Sequence, residues 1–463
     1  MSARHRSYWL QEVAGDAPDA PPLDRAATTD IAIVGGGYVG LWTAIRIKQA
    51  EPGCDVAILE QDICGGGASG RNGGFVLSWW PKLASLAKLV GSEEAIRVAR
   101  RSEQAIAEIG EFCVAHGIDA DYRQGGWLWT ATSDAQRGAW DGVLDLCARH
   151  GVAPFRRLEA HDVGLRSGST AHREGVYENT AAIVQPAALA RGLRRVALGM
   201  GVRIFEHTEM RSFSRGRPVK IECNAGSLRA DSLVVATNAW AARIPELSRA
   251  IVVVSSDMVA SAPIPDDLDR IGWERDLAIT DSQTMVDYYR TTRDGRVAFG
   301  KGGCTIAYGG NIDARFDRSA RRAREVEVDF RRYYPSLDHV PITHDWSGPI
   351  DRTPNSVPLM GHLAGLEHIV YGVGWSGNGV GPSVVGGKVL AALALRARNE
   401  WADHPLVDRP TTGFPPEPIR FIGAHLVREA VARKERAEIR DRKPSWLSVK
   451  LSALAPSGLE DKE

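Results

Sequence analysis

The sequence predicts an α/β fold, and three observations support this prediction. Residues 31–59 contain an apolar strand, a glycine turn, a helical stretch and a second apolar strand, which together make a βαβ unit. Residues 369–395 form a second unit of strand, glycine turn and helix. Residues 251–262 and 284–300 are rich in β-branched and aromatic residues, which indicates an antiparallel sheet.

The remaining elements follow from hydrophobic periodicity. Residues 11–29 are rich in Pro, Ala and Asp and are expected to form an extended arm before the first strand. The pattern then predicts helices at 92–113, 135–150 and 187–198, and strands at 126–132, 202–205 and 233–236. Residues 405–418 are proline-rich and close the globular part.

Length, charge and cysteine content narrow the class of protein. A chain of 463 residues, 44% of them hydrophobic, supports two or three domains. Its 57 basic and 57 acidic residues cancel, so no global field favours nucleic acid or a membrane surface. No run of 18 apolar residues predicts a membrane span, and the N-terminus lacks the apolar region of a signal peptide. The six cysteines form no C-x-x-C pair, so we expect reduced thiols, no metal site and a cytoplasmic location.

The first glycine turn carries a dinucleotide-binding pattern. Residues 35–40 read GGGYVG, a G-x-G-x-x-G in which Gly35 allows the tight turn, Gly37 lets a pyrophosphate approach the backbone, and Gly40 allows close helix packing. The following helix offers free N–H groups to phosphates. Glu60 ends the second strand 20 residues after Gly40, where its carboxylate is positioned to bond ribose hydroxyls. An unrelated glycine turn is the alternative, but the ordered strand, turn, helix, strand and acid favour dinucleotide binding.

Two further glycine-rich segments distinguish FAD from NAD. Residues 65–74 read GGGASGRNGG, and their glycines let the chain run close to a ligand that Ser69, Arg71 and Asn72 are able to hydrogen-bond. Residues 372–381 read GVGWSGNGVG and open a helix. Each turn alone is compatible with an ordinary loop. Together with the first turn they suit an extended cofactor that is held along its length.

These segments resemble the D-amino-acid-oxidase-like superfamily of FAD enzymes, which includes sarcosine, glycine and γ-glutamylputrescine oxidases. The γ-glutamylputrescine and sarcosine oxidase-like branch is most similar, because ASGRNGG follows its acidic strand end. Residues 236–240 (ATNAW) resemble the superfamily's ATGAW segment beside the flavin, and residues 346–361 resemble its W-x-G-x-x-x-x-T-x-D-x-x-P-x-x-G stretch. Residues 374–380 (GWSGNGV) resemble the G-[YF]-S-G-H-G segment that cradles the flavin ring.

Taken together, the turns and the resemblance imply a set of cofactor-binding residues. The set is Gly35, Gly37, Tyr38, Val39, Gly40, Glu60, Ala68, Ser69, Arg71, Asn72, Gly73, Gly74, Ala236, Thr237, Trp240, Gly374, Gly377, Asn378, Gly379 and Val380. The chain departs from the family pattern where Asn378 replaces a His and Asn355 replaces an Asp. Ile350 or Asp351 stands where sarcosine oxidase attaches its flavin through a cysteine, which implies non-covalent FAD.

The resemblance also implies two interwoven domains. A Rossmann-type FAD domain is expected from residues 28–80, 180–245 and 345–400. An α+β substrate domain with a mixed or antiparallel sheet is expected from residues 81–179 and 246–344. Residues 1–27 form the N-terminal arm, and residues 401–463 form a C-terminal extension.

The implied chemistry is oxidation of the carbon–nitrogen bond of a small amine or amino acid to an imine, with O2 as the acceptor. Three alternatives stay open from the sequence. The first is a dehydrogenase that passes electrons to a quinone or a protein. The second is an NAD(P)H-dependent flavin hydroxylase or reductase, which the lack of a second G-x-G-x-x-G disfavours. The third is a non-catalytic flavin-binding subunit.

Four residues are candidates for the substrate side. Trp79 follows the GRNGG loop and either walls the pocket or belongs to the core. Tyr289 and Arg290 lie on a strand that, in the family, faces the flavin, and Arg290 is a candidate for holding a substrate anion. Because side chains alternate along a strand, only one of the adjacent residues Tyr288 and Tyr289 faces the ligand. Lys301 lies near the place where related oxidases have a lysine that activates O2.

The C-terminal extension contains a basic, helix-compatible stretch at residues 420–443. We expect it to dock on the FAD domain of its own chain, and a membrane surface is the alternative.

Overall fold

The computed structural model describes residues 5–15 and 18–456. The helices are α1 (Tyr8–Glu12), α2 (Tyr38–Ala50), α3 (Leu83–Val90), α4 (Ser92–Ala115), α5 (Asp141–Arg149), α6 (Ala160–Ser167), α7 (Pro186–Gly199), α8 (Pro265–Ile271), α9 (Ala320–Tyr333), α10 (Pro382–Ala394), α11 (Ile419–Glu438) and α12 (Trp446–Ser452). The strands are β1 (Ala26–Val34), β2 (Val56–Leu59), β3 (Phe75–Val76), β4 (Trp127–Ala131), β5 (Arg156–Glu159), β6 (Glu174–Glu178), β7 (Ala182–Ile183), β8 (Arg203–Phe205), β9 (Met210–Phe213), β10 (Val219–Cys223), β11 (Ser227–Val235), β12 (Val252–Ser261), β13 (Ala278–Thr280), β14 (Asp287–Thr291), β15 (Val297–Ile306), β16 (Ile342–Arg352), β17 (Leu359–His362) and β18 (Ile369–Val373).

The first sheet is the predicted Rossmann-type sheet. Its main strand order is β17-β18-β11-β1-β2-β8, and the strands from β18 to β8 run parallel. The buried apolar runs of β1 and β2 form its centre, and α2, α7 and α10 pack beside it. β1 starts at Ala26, earlier than predicted, because residues 26–29 pair with residues 227–230 of β11.

The second sheet is mixed, as predicted. Its order is β16-β12-β15-β14-β13-β4-β6-β5, and only the pairing of β13 with β4 is parallel within the described residues. The predicted strand at 284–300 is two antiparallel strands, β14 and β15, joined by a turn. The α/β fold class is therefore confirmed, with two eight-stranded sheets in the described chain.

One strand lies across the expected division into two interwoven domains. β16 crosses the boundary predicted between residues 344 and 345, because residues 342–352 pair with β12 of the second sheet. β16 therefore brings residues 348–352 of the second sheet to the edge of the first one.

The two ends of the chain are attached to the body. Near the N-terminus, α1 is a short buried helix, in which Trp9 packs against Trp346, and the Ser7 hydroxyl before it donates to the Gly70 carbonyl at 2.5 Å. At the other end, the prediction that the C-terminal stretch docks on the FAD domain is wrong. α11 lies against the second sheet, where Arg428 Nε donates to the Gly303 carbonyl at 3.3 Å. Within residues 5–15 and 18–456, none of the helices combines the length and the apolar content needed to cross a bilayer.

The buried acid Glu178 on β6 should make the free energy of unfolding depend on pH. Glu178 is fully buried, and burial raises its pKa to about 7. Because the folded state holds this proton more tightly, Glu178 contributes stability below its unfolded pKa, and this contribution is lost as the pH rises to about 7. We expect Glu178→Gln to gain stability relative to the parent between pH 5 and pH 8, measured by denaturant unfolding. Glu367→Gln, at an exposed acid, is the control; an identical pH profile for both variants would contradict the assignment.

Candidate functional site

A cavity of about 610 Å³ runs between the two sheets. One end lies at the carboxyl ends of β1, β2 and β11, where ligands bind in open α/β sheets. The other end reaches the second sheet at Ser256, Tyr288 and Gly302. The cavity is therefore elongated and is built by segments from both domains.

The GGGYVG turn fits closely against its neighbours. Gly35 has a φ of +111°, and a Cβ atom there would lie 2.3 Å from the Ala236 carbonyl oxygen. A Cβ on Gly40 would lie 2.0 Å from the Gly35 carbonyl oxygen. Both positions therefore require glycine. Gly37 caps α2 and faces the cavity, and no side chain bonds the helix N-terminus from this position.

Glu60 and Ser69 fix the chain around this turn. The Glu60 carboxylate accepts hydrogen bonds from Gly36 N at 2.8 Å and Asp62 N at 2.9 Å, and it lines the cavity. Ser69 Oγ accepts a hydrogen bond from Tyr38 N, the first residue of α2, at 2.9 Å. This end of the cavity thus presents glycine backbone, a helix N-terminus and a carboxylate.

Arg71 and Asn72 line the cavity but bond mainly to the protein. Arg71 donates to the carbonyl oxygens of Gly66 and Ser347, at 3.0 and 3.1 Å. Asn72 Oδ1 accepts from Gly74 N at 2.7 Å. The sequence predicted that these side chains bond a ligand; in the structure they hold the loop in shape.

Asp351 connects two walls of the cavity. Its carboxylate accepts from the backbone N–H groups of Gly374 and Trp375, at 2.5 and 3.0 Å, and from Asn238 Nδ2 at 3.1 Å. Burial raises its pKa to about 7. The carboxylate therefore ties the ATNAW segment to the loop after β18, a role that the sequence did not indicate.

Most of the predicted cofactor residues meet at this cavity. Those that line it are Gly35, Gly37, Tyr38, Val39, Glu60, Ala68, Ser69, Arg71, Asn72, Gly73, Ala236, Thr237, Trp240, Gly377, Asn378, Gly379 and Val380. Gly40, Gly74 and Gly374 are not among the described lining residues; Gly40 lies in the first turn of α2, and Gly74 and Gly374 have φ values of +75° and +82°. Sequence reasoning missed residues 208–213 and Arg215, which follow β8. Because β8 neighbours β2, the chain leaving β8 has to pass the cavity, but only the strand order reveals this.

Comparison with known proteins identifies the family. Residues 30–393 match the FAD-dependent oxidoreductase family named DAO. The chain belongs to this family. The γ-glutamylputrescine oxidoreductase of Escherichia coli (strain K12) is 28% identical over 406 residues, which cover 87% of this chain and 92% of that protein. The glycine oxidase of Pseudomonas aeruginosa is 24% identical over 376 residues, which cover 78% of this chain and 94% of that protein.

Solved structures of such enzymes share the fold. Glycine oxidase from Geobacillus kaustophilus has a TM-score of 0.67 at 20% identity and covers 83% of this chain and 99% of its own. L-proline dehydrogenase from P. horikoshii has a TM-score of 0.66 at 19% identity and covers 82% and 96%. The predicted membership and fold class are confirmed.

The cavity fits the FAD of this family. A pyrophosphate needs bare backbone at a helix N-terminus, which Gly37 provides. Two buried polar atoms of lining residues, Thr237 Oγ1 and Asn378 Oδ1, have no hydrogen-bond partner within the described chain. Buried polar atoms are normally bonded, so both are suited to a polar ligand. Glu60 and the α2 N-terminus would hold the adenosine and phosphates, and residues 377–380 would hold the flavin end.

Within this FAD-dependent oxidoreductase, Tyr288 and not Tyr289 faces the cavity. The Tyr288 hydroxyl lies 2.7 Å from Ser256 Oγ, and both residues line the cavity. Tyr289 points to the opposite face of β14, where it stacks on Phe299 and its hydroxyl lies 2.5 Å from His172 Nε2. Alternation along the strand was the right rule, but Tyr289 was the wrong choice.

Arg290 is buried beside the N-terminal arm. Its Nη1 donates to the Val184 carbonyl at 2.6 Å, and its guanidinium carbon lies 5.1 Å from the centre of the Trp9 ring. Burial lowers its pKa to about 9, and Asp121 is 3.9 Å away. Arg290 does not appear among the lining residues of the described cavity. Its position gives no support to the predicted grip on a substrate anion.

Lys301 points away from the cavity. Its Nζ lies 2.9 Å from Asp287 and 3.0 Å from Asp329, on the face of β15 that α9 covers. Burial alone would lower its pKa, but the two carboxylates outweigh it and hold the pKa well above its usual value. Its neighbour Gly302 lines the cavity instead. The predicted role in O2 activation therefore has no geometric support.

Trp79 belongs to the core rather than to the described cavity wall. It is buried in a hydrophobic cluster that also contains Ile33 of β1 and Trp129 of β4, and its backbone N–H donates to Ser102 Oγ at 2.8 Å. Leu77, two residues earlier, lines the cavity. The core alternative left open by the sequence is the one that the structure shows.

Proposed function

We propose that this FAD-dependent oxidoreductase oxidises the carbon–nitrogen bond of a small amine to an imine, and that the reacting end of the substrate carries no carboxylate. The observation that carries the second part is the chemistry of the cavity at strands β12 to β15. These strands and the turn before β14 contribute only uncharged lining residues, namely Ser256, Thr280, Val286, Tyr288 and Gly302. Names of relatives, such as γ-glutamylputrescine oxidoreductase, support the first part.

The uncharged wall also favours the reactive form of the substrate. Bound FAD supplies the electron acceptor for the hydride equivalent that leaves the carbon next to nitrogen. That carbon gives up its hydride when the amine is neutral. A wall without charges disfavours the ammonium form by desolvation. The Tyr288 and Ser256 hydroxyls bond each other at 2.7 Å, and Ser256 donates to the Lys301 carbonyl at 3.0 Å, so the two hydroxyl oxygens are available to accept hydrogen bonds from the amine N–H groups. β16 contributes one cation, Arg352, to the cavity lining. Arg352 lies opposite Val252 on β12, four residues along the strand from Ser256, which lies opposite Gly348.

Substrate-induced flavin bleaching tests this proposal. Purified protein is mixed anaerobically with primary amines and with α-amino acids of the same chain length, and flavin absorbance is followed. We expect amines to bleach the flavin and the matched amino acids to bleach it more than about tenfold more slowly, because burying a carboxylate without a partner is costly. Equal rates would reject the preference for amines. Flavin that no compound bleaches would indicate a non-catalytic subunit.

We propose O2 as the electron acceptor, since several relatives are named oxidases. The dehydrogenase alternative is kept because L-proline dehydrogenase shares the fold. Reoxidation of the reduced flavin by O2 and by a soluble quinone, compared in stopped flow, distinguishes the two. A cytoplasmic location remains part of the proposal and is supported by six free cysteines.

Acid precipitation should release the flavin. The described lining of the cavity contains no cysteine, and the family resemblance aligns Ile350 or Asp351 with the attachment cysteine of sarcosine oxidase. We therefore propose that FAD is bound non-covalently. After precipitation with trichloroacetic acid, the yellow colour is expected in the supernatant. Colour that stays with the pellet would reject non-covalent binding.

A further inference from the structure

The last two helices carry an unusual concentration of exposed apolar side chains. Helices α11 and α12 pack on each other, and we call residues 419–454 the C-terminal hairpin. It lies beyond residues 30–393, which match the family. Of the twelve large hydrophobic side chains that are exposed in the described chain, the hairpin holds seven: Ile419, Ile422, Leu426, Trp446, Leu447, Val449 and Leu454. The first three recur at the spacing of one helix face.

The C-terminal hairpin is also locally basic. Its exposed basic side chains are Arg433, Arg436, Arg440, Arg442, Lys443 and Lys450, against a single exposed acid, Asp441, within the hairpin. Among the described residues, Arg440, Arg442 and Lys443 have no ion-pair partner. Because the whole chain has no formal net charge, this positive charge is a local feature.

The opposite side of the C-terminal hairpin is fixed to the body. Arg420 Nη1 donates to the Ser248 carbonyl at 2.5 Å, and Met285 N donates to the buried Glu435 carboxylate at 2.9 Å. Burial raises the pKa of Glu435 to about 7. These contacts attach the hairpin to the rest of the protein. The exposed apolar side chains take no part in them. Trp446 is 69% exposed and Leu454 70% exposed.

We propose that the C-terminal hairpin docks on the surface of an anionic lipid bilayer. Helices that combine apolar side chains with Lys and Arg lie in the plane of the bilayer interface. Trp446 has the side chain that favours the headgroup level. Exposed Arg and Lys residues are attracted to anionic lipids. A second copy of the chain is the other candidate, but a symmetric contact would bring the same cations of both copies together.

Vesicle sedimentation tests the docking proposal. The full-length, flavin-loaded protein is spun with vesicles of phosphatidylcholine containing phosphatidylglycerol, and separately with vesicles of phosphatidylcholine alone. We expect sedimentation with the anionic vesicles, weakening as salt is raised because salt screens the attraction. Equal binding to both vesicles, or binding to neither, would overturn the proposal.

Two variants identify the surface. The first is Trp446→Ser with Leu447→Ser and Leu454→Ser; the second is Arg440→Gln with Arg442→Gln and Lys443→Gln. Each is expected to weaken vesicle binding by more than about tenfold. These side chains are exposed and away from the described cavity, so flavin content and amine oxidation should not change.

Control variants change exposed apolar and basic residues elsewhere in the described chain. Val114→Ser with Val328→Ser, and Arg25→Gln with Arg321→Gln, alter exposed side chains outside the hairpin and should bind vesicles like the parent. Controls that lose binding as strongly as the hairpin variants would overturn the assignment. Sedimentation velocity provides the last check. Self-association that only the hairpin variants lose, without vesicle binding by the parent, would assign the hairpin to a second copy.

Discussion

Replacement of Gly37 by valine is expected to yield folded protein that has lost its flavin. A Cβ at this position would lie 2.9 Å from Ser69 Oγ, which accepts the hydrogen bond from Tyr38 N. The added methyl groups would fill the space that the FAD pyrophosphate needs at the start of α2. Overpacking of this kind costs about 1–3 kcal/mol, so FAD affinity should fall by roughly tenfold to a hundredfold or more. Flavin content after purification and FAD titration of the apoprotein measure the effect.

The control for this experiment is Gly53→Val in the loop that follows α2. A Cβ on Gly53 has no neighbour within 4 Å. This variant should retain stoichiometric FAD and the parental circular dichroism. If Gly37→Val also retained stoichiometric FAD, the assignment of the cavity end at α2 to the pyrophosphate would be wrong.

Replacement of Lys301 by methionine is expected to destabilise the protein rather than to slow its reaction with O2. The substitution removes the ammonium between Asp287 and Asp329, and Asp287 is fully buried. Breaking a buried pair costs about 3–5 kcal/mol, because the remaining charge loses its partner. Burial already raises the pKa of Asp287 well above its usual value, and the loss of Lys301 raises it further. The destabilisation should therefore grow as pH rises, since Asp287 must then ionise with Arg332, 3.3 Å away, as its remaining cationic partner.

Denaturant unfolding of Lys301→Met at low and high pH measures this effect. Adding Asp287→Asn should restore part of the lost stability, because the buried carboxylate that lost its Lys301 partner is then absent. Lys220→Met, at an exposed lysine, should change stability little. Stopped-flow reoxidation of the reduced flavin should be unchanged in Lys301→Met. Reoxidation slowed more than about tenfold, with normal stability, would return Lys301 to the mechanism.

The cofactor side of the site could be predicted from the sequence because its chemistry is local. The tight turn at Gly35, the helix start at Gly37 and the acid at Glu60 act within one βαβ unit, so their spacing specifies their geometry. The loop at residues 65–74 and the loop after β18 were found by composition and by resemblance. Asp351 was missed because its carboxylate is placed by a strand of the other sheet.

The substrate side could not be predicted because it depends on sheet orientation. Nothing in the sequence tells which face of β14 meets the cavity, and a shift of one residue exchanges Tyr288 for Tyr289. Arg290 lies on the same face as Tyr288, yet the residues that surround it, Trp9 and Val184, are distant in sequence. The role of Lys301 in O2 activation was predicted from its approximate position in the sequence. Its partner Asp329 lies on α9, and the sequence does not show that α9 packs on β15.

The order of the segments around the cavity has a consequence for biosynthesis. The walls are drawn from residues between 34 and 380, and β18 joins the first sheet beside β11, while α10 packs on α2. A nascent chain that has emerged from the ribosome only to residue 350 has the turn at Gly35 but lacks the loop that Asp351 holds at Gly374 and Trp375. The complete cradle therefore forms only after residue 380 has been synthesised, so stable loading of the cofactor follows synthesis of all the segments that line the cavity.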